Sequence, residues 1–144
     1  MTRYEILVAT DGSQWGQKAE IAAMKITRSY NIRMAAIYVA VARKDSEREE
    51  IAARGEDVLN RVVEMGARMG INVDKILVGV SMQRMPKKGA AAEAVARAIL
   101  DAAEKYGVHT LILGSKGESK INPEMGSVTQ EVVKKMKCTV LVVR

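Results

Sequence analysis

A cluster of glycine and hydroxyl residues near the C-terminus carries the strongest chemical signal in this chain of 144 residues. Gly114 and Gly117 follow an apolar stretch, and Gly126 and Ser127 open a segment with helical spacing. Glycines let the backbone approach a ligand closely and adopt positive φ. The first turn of a helix presents unpaired N–H groups and the positive end of its dipole to an anion. The pattern therefore predicts an anion site.

Each of these residues also has a plainer interpretation. Ser127-x-x-Gln130 matches a capping box, and Gly114 is compatible with a simple turn. Asp11, in the sequence Asp-Gly-Ser, suits a turn or a helix cap equally well. Its place at the C-terminal end of a predicted first strand favours ligand contact.

Several catalytic signatures are missing from the sequence. It contains no G-x-x-x-x-G-K-[S/T] loop, no G-x-G-x-x-G after the first strand, no nucleophile elbow and no metal-ligand cluster. The single histidine, His109, falls at the N-terminal end of its predicted strand, which is the wrong edge for catalysis. We expect no catalytic residue and no metal ligand, and slow turnover at most.

Composition narrows the class further. The net charge is +6, yet basic residues are spread evenly and the sequence has no Phe and one Trp. Nucleic-acid sites normally combine a dense basic stripe with aromatic side chains, so we expect no nucleic-acid partner. No apolar run reaches about 18 residues, which argues against a membrane span. One cysteine and no export signal predict a cytoplasmic protein.

The elements that must position these residues follow from apolar periodicity and turn signals. A capping box, Ser46-x-x-Glu49, marks the start of the second helix. The predicted strands are Tyr4 to Thr10, Arg33 to Val41, Val73 to Val80, His109 to Gly114 and Thr139 to Val143. The predicted helices are Gln14 to Tyr30, Ser46 to about Met69, Ala90 to Tyr106 and Ser127 to Met136.

Strands that are apolar on both faces and alternate with helices indicate an α/β fold. We predict one domain, residues 1–144, built on a doubly wound, five-stranded parallel sheet with helices on both faces. Ligands of such sheets bind outside the carboxyl ends of the strands. The site is therefore expected after Thr10, Val39 and Leu113.

Three segments of the sequence together resemble a known family. ILVATDGS at residues 6–13, an apolar strand containing Tyr38-Val39, and GSKG followed by GSVTQEVVKKMKCTVLVV are similar to the universal stress protein family. The similarity runs through the whole chain in the right order. It implies a Rossmann-like fold and the binding of ATP or another adenine nucleotide, with Mg²⁺ as a companion of the phosphates.

The resemblance also implies a role for seven positions. They would contact the ribose (Asp11), the adenine edge through the backbone (Val39), the ribose and α-phosphate (Gly114), and the phosphates through backbone N–H groups (Gly117, Gly126, Ser127 and Val128).

One feature departs from the family pattern. Nucleotide-binding members carry nine residues between the G-x-x-G and G-[S/T] motifs, whereas eight lie between Gly117 and Gly126. This shorter loop contains Glu118 and Glu124, whose carboxylates would repel phosphates that they faced. A dimeric interaction module without nucleotide is therefore the alternative function, and slow ATP hydrolysis is a weaker alternative. The resemblance further implies a homodimer paired through Thr139 to Val143, an apolar edge that would otherwise be uncovered.

Overall fold

Strands and helices alternate along the chain in the computed structural model, which describes residues 2–82, 89–117 and 125–144. The five strands are β1 (Ile6–Ala9), β2 (Met34–Ala42), β3 (Val73–Ser81), β4 (Thr110–Gly114) and β5 (Thr139–Val143). The four α-helices are α1 (Gln14–Tyr30), α2 (Arg48–Arg68), α3 (Ala90–Lys105) and α4 (Ser127–Lys135).

The strands form one parallel sheet in the order β3-β2-β1-β4-β5. β1 lies at the centre, where Ala9 is in register with Ile37 of β2 and Leu113 of β4. The strand order reverses on the two sides of β1, which makes the gap beyond its carboxyl end the switch point of a doubly wound sheet. The predicted fold class is confirmed.

Two apolar layers cover the sheet because successive strand side chains point to opposite faces. Ile6 and Val8 pack on one face with buried residues of α1 and α2. Leu7, between them, packs on the other face with buried residues of α3 and α4. Helices therefore cover both faces, as the apolar strands predicted. Within the described ranges, no helix is long and apolar enough to cross a membrane.

The prediction that a capping box at Ser46 starts the second helix is wrong. Asp45–Glu47 form a turn of 3₁₀-helix, and α2 begins after it at Arg48 without a side-chain cap. The Glu47 carboxylate accepts a hydrogen bond from the Arg43 N–H at 3.2 Å. Ser46 lies inside the 3₁₀ turn, so it does not hold the extended backbone that a capping serine needs.

A buried tyrosine at the amino edge of the sheet gives a pH-dependent prediction. The Tyr4 hydroxyl donates to Asp74 Oδ2 at 2.5 Å, and burial together with this bond raises the pKa of Tyr4 to about 12. A raised folded-state pKa favours the neutral form, so its contribution to stability is complete below pH 10 and is lost as the pH rises towards 12.

We expect the phenolate absorbance of Tyr4 to appear about two pH units later than that of an ordinary tyrosine. The variant Tyr4→Phe should show a weaker decrease in unfolding free energy over the same alkaline range. Titration of all four tyrosines together would contradict the assignment.

Candidate functional site

A cleft opens at the carboxyl edge of the sheet, between the first turn of α1 and the first turn of α4. Its volume is about 220 Å³. Thr10, just after β1, lines the cleft together with Ile37 of β2 and Leu113 of β4. All seven positions predicted from the sequence line it: Asp11, Val39, Gly114, Gly117, Gly126, Ser127 and Val128. The structure therefore brings together residues that are more than 100 positions apart in the chain.

The turn after β1 presents the carboxylate of Asp11 at one side of the cleft. Asp11 Oδ1 accepts a hydrogen bond from the Ser13 N–H at 2.9 Å, and Ser13 Oγ in turn caps α1 by accepting from the Gly16 N–H at 3.2 Å. The turn-forming role of Asp11 and its place in the cleft are thus both present. Asp11 Oδ2 lies towards Gly117, since a Cβ on that glycine would be 3.4 Å from it.

A buried ion pair lies behind this turn. The Glu20 carboxylate is fully buried and receives both Nη atoms of Arg61 from α2, at 3.0 and 3.3 Å. It also accepts from the Thr10 hydroxyl at 2.5 Å, and that hydroxyl accepts from the Gly12 N–H at 3.1 Å. This network fixes the backbone on both sides of Asp11. No local sequence pattern indicates this pair, because Glu20 and Arg61 lie 41 residues apart in the chain.

Val39 lies beyond the end of β1, although not at the end of its own strand as the sequence suggested. The β1–β2 ladder reaches its far end where the Thr10 N–H donates to the Ile37 carbonyl at 3.1 Å. Peptide groups of a parallel strand alternate in direction, so Val39 directs its N–H and C=O to the same side as Ile37. β2 continues to Ala42, past this point. The backbone of Val39 therefore faces the cleft that this residue lines.

At Gly126, the start of α4 lies against the backbone of Lys116 and Gly117. The Gly126 N–H donates to the Ser115 carbonyl at 2.7 Å, and a Cβ there would lie only 3.1 Å from the Lys116 Cα and 3.2 Å from the Gly117 nitrogen. None of Gly114, Gly117 and Gly126 has positive φ. Their expected use of positive φ is therefore wrong, whereas close approach of the backbone is what the structure displays.

Gly114 has a packing reason for being glycine. A Cβ at this position would lie 2.7 Å from the Trp15 carbonyl oxygen, in the first turn of α1. It is thus a point of contact between β4 and α1, and not the simple turn that was one interpretation of the sequence. Its carbonyl also accepts from the Thr129 hydroxyl at 2.8 Å, which fixes α4 to the end of β4.

The capping-box interpretation of Ser127 is also wrong. Gly126 is the N-cap of α4 and makes no side-chain cap bond, while Ser127 is the exposed first residue of the helix. The Gln130 side chain donates instead to the Met125 carbonyl at 2.7 Å. First-turn N–H groups at Ser127 and Val128 have no intrahelical acceptor, so they offer a ligand two donors and the positive end of the helix dipole.

The acidic part of the short loop, residues 118–124, lies outside the described residues. Among the residues that are described, no group of three or more His, Cys, Asp or Glu side chains could hold a metal ion. The charged side chains lining the cleft in that part of the chain are Asp11 and Lys116.

Comparison with known proteins gives a consistent result. The model of the universal stress protein family matches residues 3–144. The chain is 27% identical to the universal stress protein YxiE of Bacillus subtilis, covering 97% of this chain and 98% of that protein. It is 26% identical to the universal stress protein MJ0531 of Methanocaldococcus jannaschii, covering 97% of this chain and 81% of that protein.

Solved structures share the fold at low identity. The universal stress protein UspA from Lactobacillus plantarum superimposes with a TM-score of 0.77 at 20% identity, with both chains covered in full. A universal stress protein from Archaeoglobus fulgidus in complex with dAMP gives 0.72 at 18% identity, again over both full chains. A universal stress protein in complex with cAMP also gives 0.72 at 18% identity, over 99% of each chain.

Proposed function

Because this chain belongs to the universal stress protein family, we propose that it binds an adenine nucleotide in the cleft at the carboxyl edge of its sheet. The observation that carries the proposal is the convergence of all seven predicted contact positions on that one cleft. Proteins of the same fold have been solved with dAMP and with cAMP, which supports an adenine nucleotide as the ligand class.

The proposed pose follows from the donors and acceptors that surround the cleft. The peptide groups of Val39 lie beyond the β1 ladder, where they can pair with the edge of an adenine ring. The Asp11 carboxylate can accept hydrogen bonds from two ribose hydroxyls. The Gly126 N–H donates to the Ser115 carbonyl instead of a phosphate as predicted, but the N–H groups of Ser127 and Val128 in the first turn of α4 can receive the phosphates. Mg²⁺, where present, would enter with the phosphates.

We further propose that the protein acts as a small cytoplasmic regulatory module whose nucleotide-bound state matters to a stress response.

The second part of this proposal is a homodimer. β5 forms one edge of the sheet, and Leu141 on it is 38% exposed. A second copy paired through Thr139 to Val143 would cover that edge. Sedimentation should then report twice the 15.7 kDa mass of the chain.

The binding proposal is tested first by denaturing freshly purified protein and identifying any released nucleotide by mass spectrometry. We expect an adenine nucleotide, and we expect stripped protein to bind ATP, ADP or AMP with Mg²⁺ in calorimetric titration. A protein that is empty and unresponsive to all three would favour the alternative, an interaction module of the same fold without nucleotide.

Asp11→Asn is the most informative variant for this test. Asparagine keeps one carbonyl oxygen for the Ser13 N–H, so the turn should survive, but it cannot also accept from the ribose hydroxyls. We expect about a tenfold weaker affinity for AMP, since hydrogen bonds to a charged group contribute about 1.5–3 kcal/mol. Asp45→Asn, in the exposed 3₁₀ turn, is the matched control.

A further inference from the structure

Two lysine ammonium groups contact one aromatic ring beside the cleft. Lys116 Nζ lies 4.6 Å from the centroid of the Trp15 ring, and Lys18 Nζ lies 4.8 Å from the same centroid. Both distances are within the range of a cation–π contact. Trp15 is the only tryptophan of the chain, so its fluorescence reports directly on this place.

The position of Lys116 links the two sides of the cleft. Its Cα lies against Gly126, at the start of α4, because a Cβ on that glycine would be 3.1 Å away. Its side chain reaches the ring of Trp15 in the first turn of α1, and the residue itself lines the cleft. Lys116 therefore joins the first turn of α1 to the start of α4, where the proposed phosphate donors lie.

The local charge balance requires such a cation. A phosphate received at Gly117 would approach Asp11, whose Oδ2 is 3.4 Å from where a Cβ on Gly117 would stand. Each further phosphate adds negative charge near this carboxylate. Lys116 is the lysine that lines the described part of the cleft, and its positive charge would offset that repulsion.

The cation–π contact is weak enough to be exchanged for a phosphate. A partly exposed contact of this type contributes less binding free energy than a hydrogen bond between charged groups. The ring keeps the ammonium near the cleft in the free protein, and a phosphate oxygen is the stronger partner when it arrives.

We propose that Lys116, held over Trp15 with Lys18 as a second cation, determines how strongly the site prefers nucleotides with more phosphates. This inference rests on the proposed nucleotide function and adds the selectivity that backbone N–H groups alone provide poorly. It assigns the preference ATP over ADP over AMP to one side chain. It also assigns Trp15 the role of the platform that keeps this side chain in place.

The experiment measures dissociation constants for AMP, ADP and ATP without Mg²⁺ at low ionic strength, where exposed charges are least screened. The variants are Lys116→Met and Trp15→Leu. The control is Lys105→Met, which removes an equal charge from a comparable contact, 5.3 Å from the Tyr106 centroid, at the amino edge of the sheet. Tripolyphosphate is added separately while the fluorescence of Trp15 is recorded.

We expect ATP to bind more tightly than AMP, and we expect Lys116→Met to reduce this preference about tenfold. Trp15→Leu should reduce it by a smaller factor, and Lys105→Met should leave it as in the natural protein. Tripolyphosphate should change the Trp15 emission in the natural protein but not in Lys116→Met.

The outcomes separate the two proposals. An unchanged preference in Lys116→Met overturns this inference and leaves nucleotide binding intact. If no nucleotide binds but tripolyphosphate changes the Trp15 emission only when Lys116 is present, the phosphate role of Lys116 stands and the nucleotide function fails. If neither ligand produces a response, both proposals are overturned.

Discussion

Replacing Arg61 by methionine should destabilise this protein by about 3 kcal/mol, because it leaves the buried Glu20 carboxylate without its cation. Glu20 is fully buried, and both of its oxygens receive Arg61 nitrogens at 3.0 and 3.3 Å. The hydrogen bond from the Thr10 hydroxyl remains, but one neutral donor does not compensate a buried charge. The measurement is chemical denaturation at neutral pH.

Two further variants identify the cause of this loss. The double variant Glu20→Gln with Arg61→Met should be more stable than Arg61→Met alone, since a neutral amide can still accept from Thr10. Arg48→Met, which removes the exposed partner of Asp45 at 3.5 Å, should change stability by about 0.5 kcal/mol or less. A double variant as unstable as the single one would mean that lost packing, and not the uncompensated charge, is responsible.

Gly114→Ala should destabilise the protein by about 1–3 kcal/mol through overpacking. Its Cβ would stand 2.7 Å from a backbone carbonyl of α1, and a backbone atom cannot move aside as the end of a side chain can. Gly79→Ala on β3 is the matched control, because nothing lies within 4 Å of the added carbon. The control should be neutral or slightly stabilising, and equal losses in both variants would refute the close-approach role.

This prediction affects how binding data should be interpreted. A loss of nucleotide affinity in Gly114→Ala would follow from displacement of α1 and would not demonstrate a ligand contact. Gly117→Ala is the cleaner variant, since its Cβ would make an ordinary contact with Asp11 Oδ2 at 3.4 Å. A methyl group there intrudes on the proposed ligand with little effect on the fold.

Most of the fold could be predicted from the sequence because its strands are short, apolar on both faces and separated by helical periodicity. The limits of α1 agree with the prediction at both ends, Gln14 and Tyr30. The strand limits are less accurate: the predicted first strand, Tyr4 to Thr10, is longer than β1 at both ends. Register is set by neighbouring strands, which local apolar character does not reveal.

The residues that line the site could be predicted from the sequence, but the contacts that hold them in place could not. The family motifs placed Gly114 and Gly126 in the cleft, yet spacing alone did not show that both are glycine because backbones meet there. Both proposed capping boxes failed, since capping depends on the backbone angles at the first residue and not on the side-chain pattern alone. The Glu20–Arg61 pair joins two helices 41 residues apart, a relation that no local pattern contains.

The central place of β1 has a consequence for synthesis of the chain. β2 can pair with β1, and β3 with β2, as they are made, but the other edge of β1 has to wait for residues 110–114. A nascent chain that includes only the first three strands therefore exposes the open side of β1, an apolar strand with unpaired peptide groups that other chains could join. Insertion of β4 closes that edge, and α4, which follows it in the chain, completes the cleft. Nucleotide would then bind only to finished chains and would draw the folding equilibrium towards them.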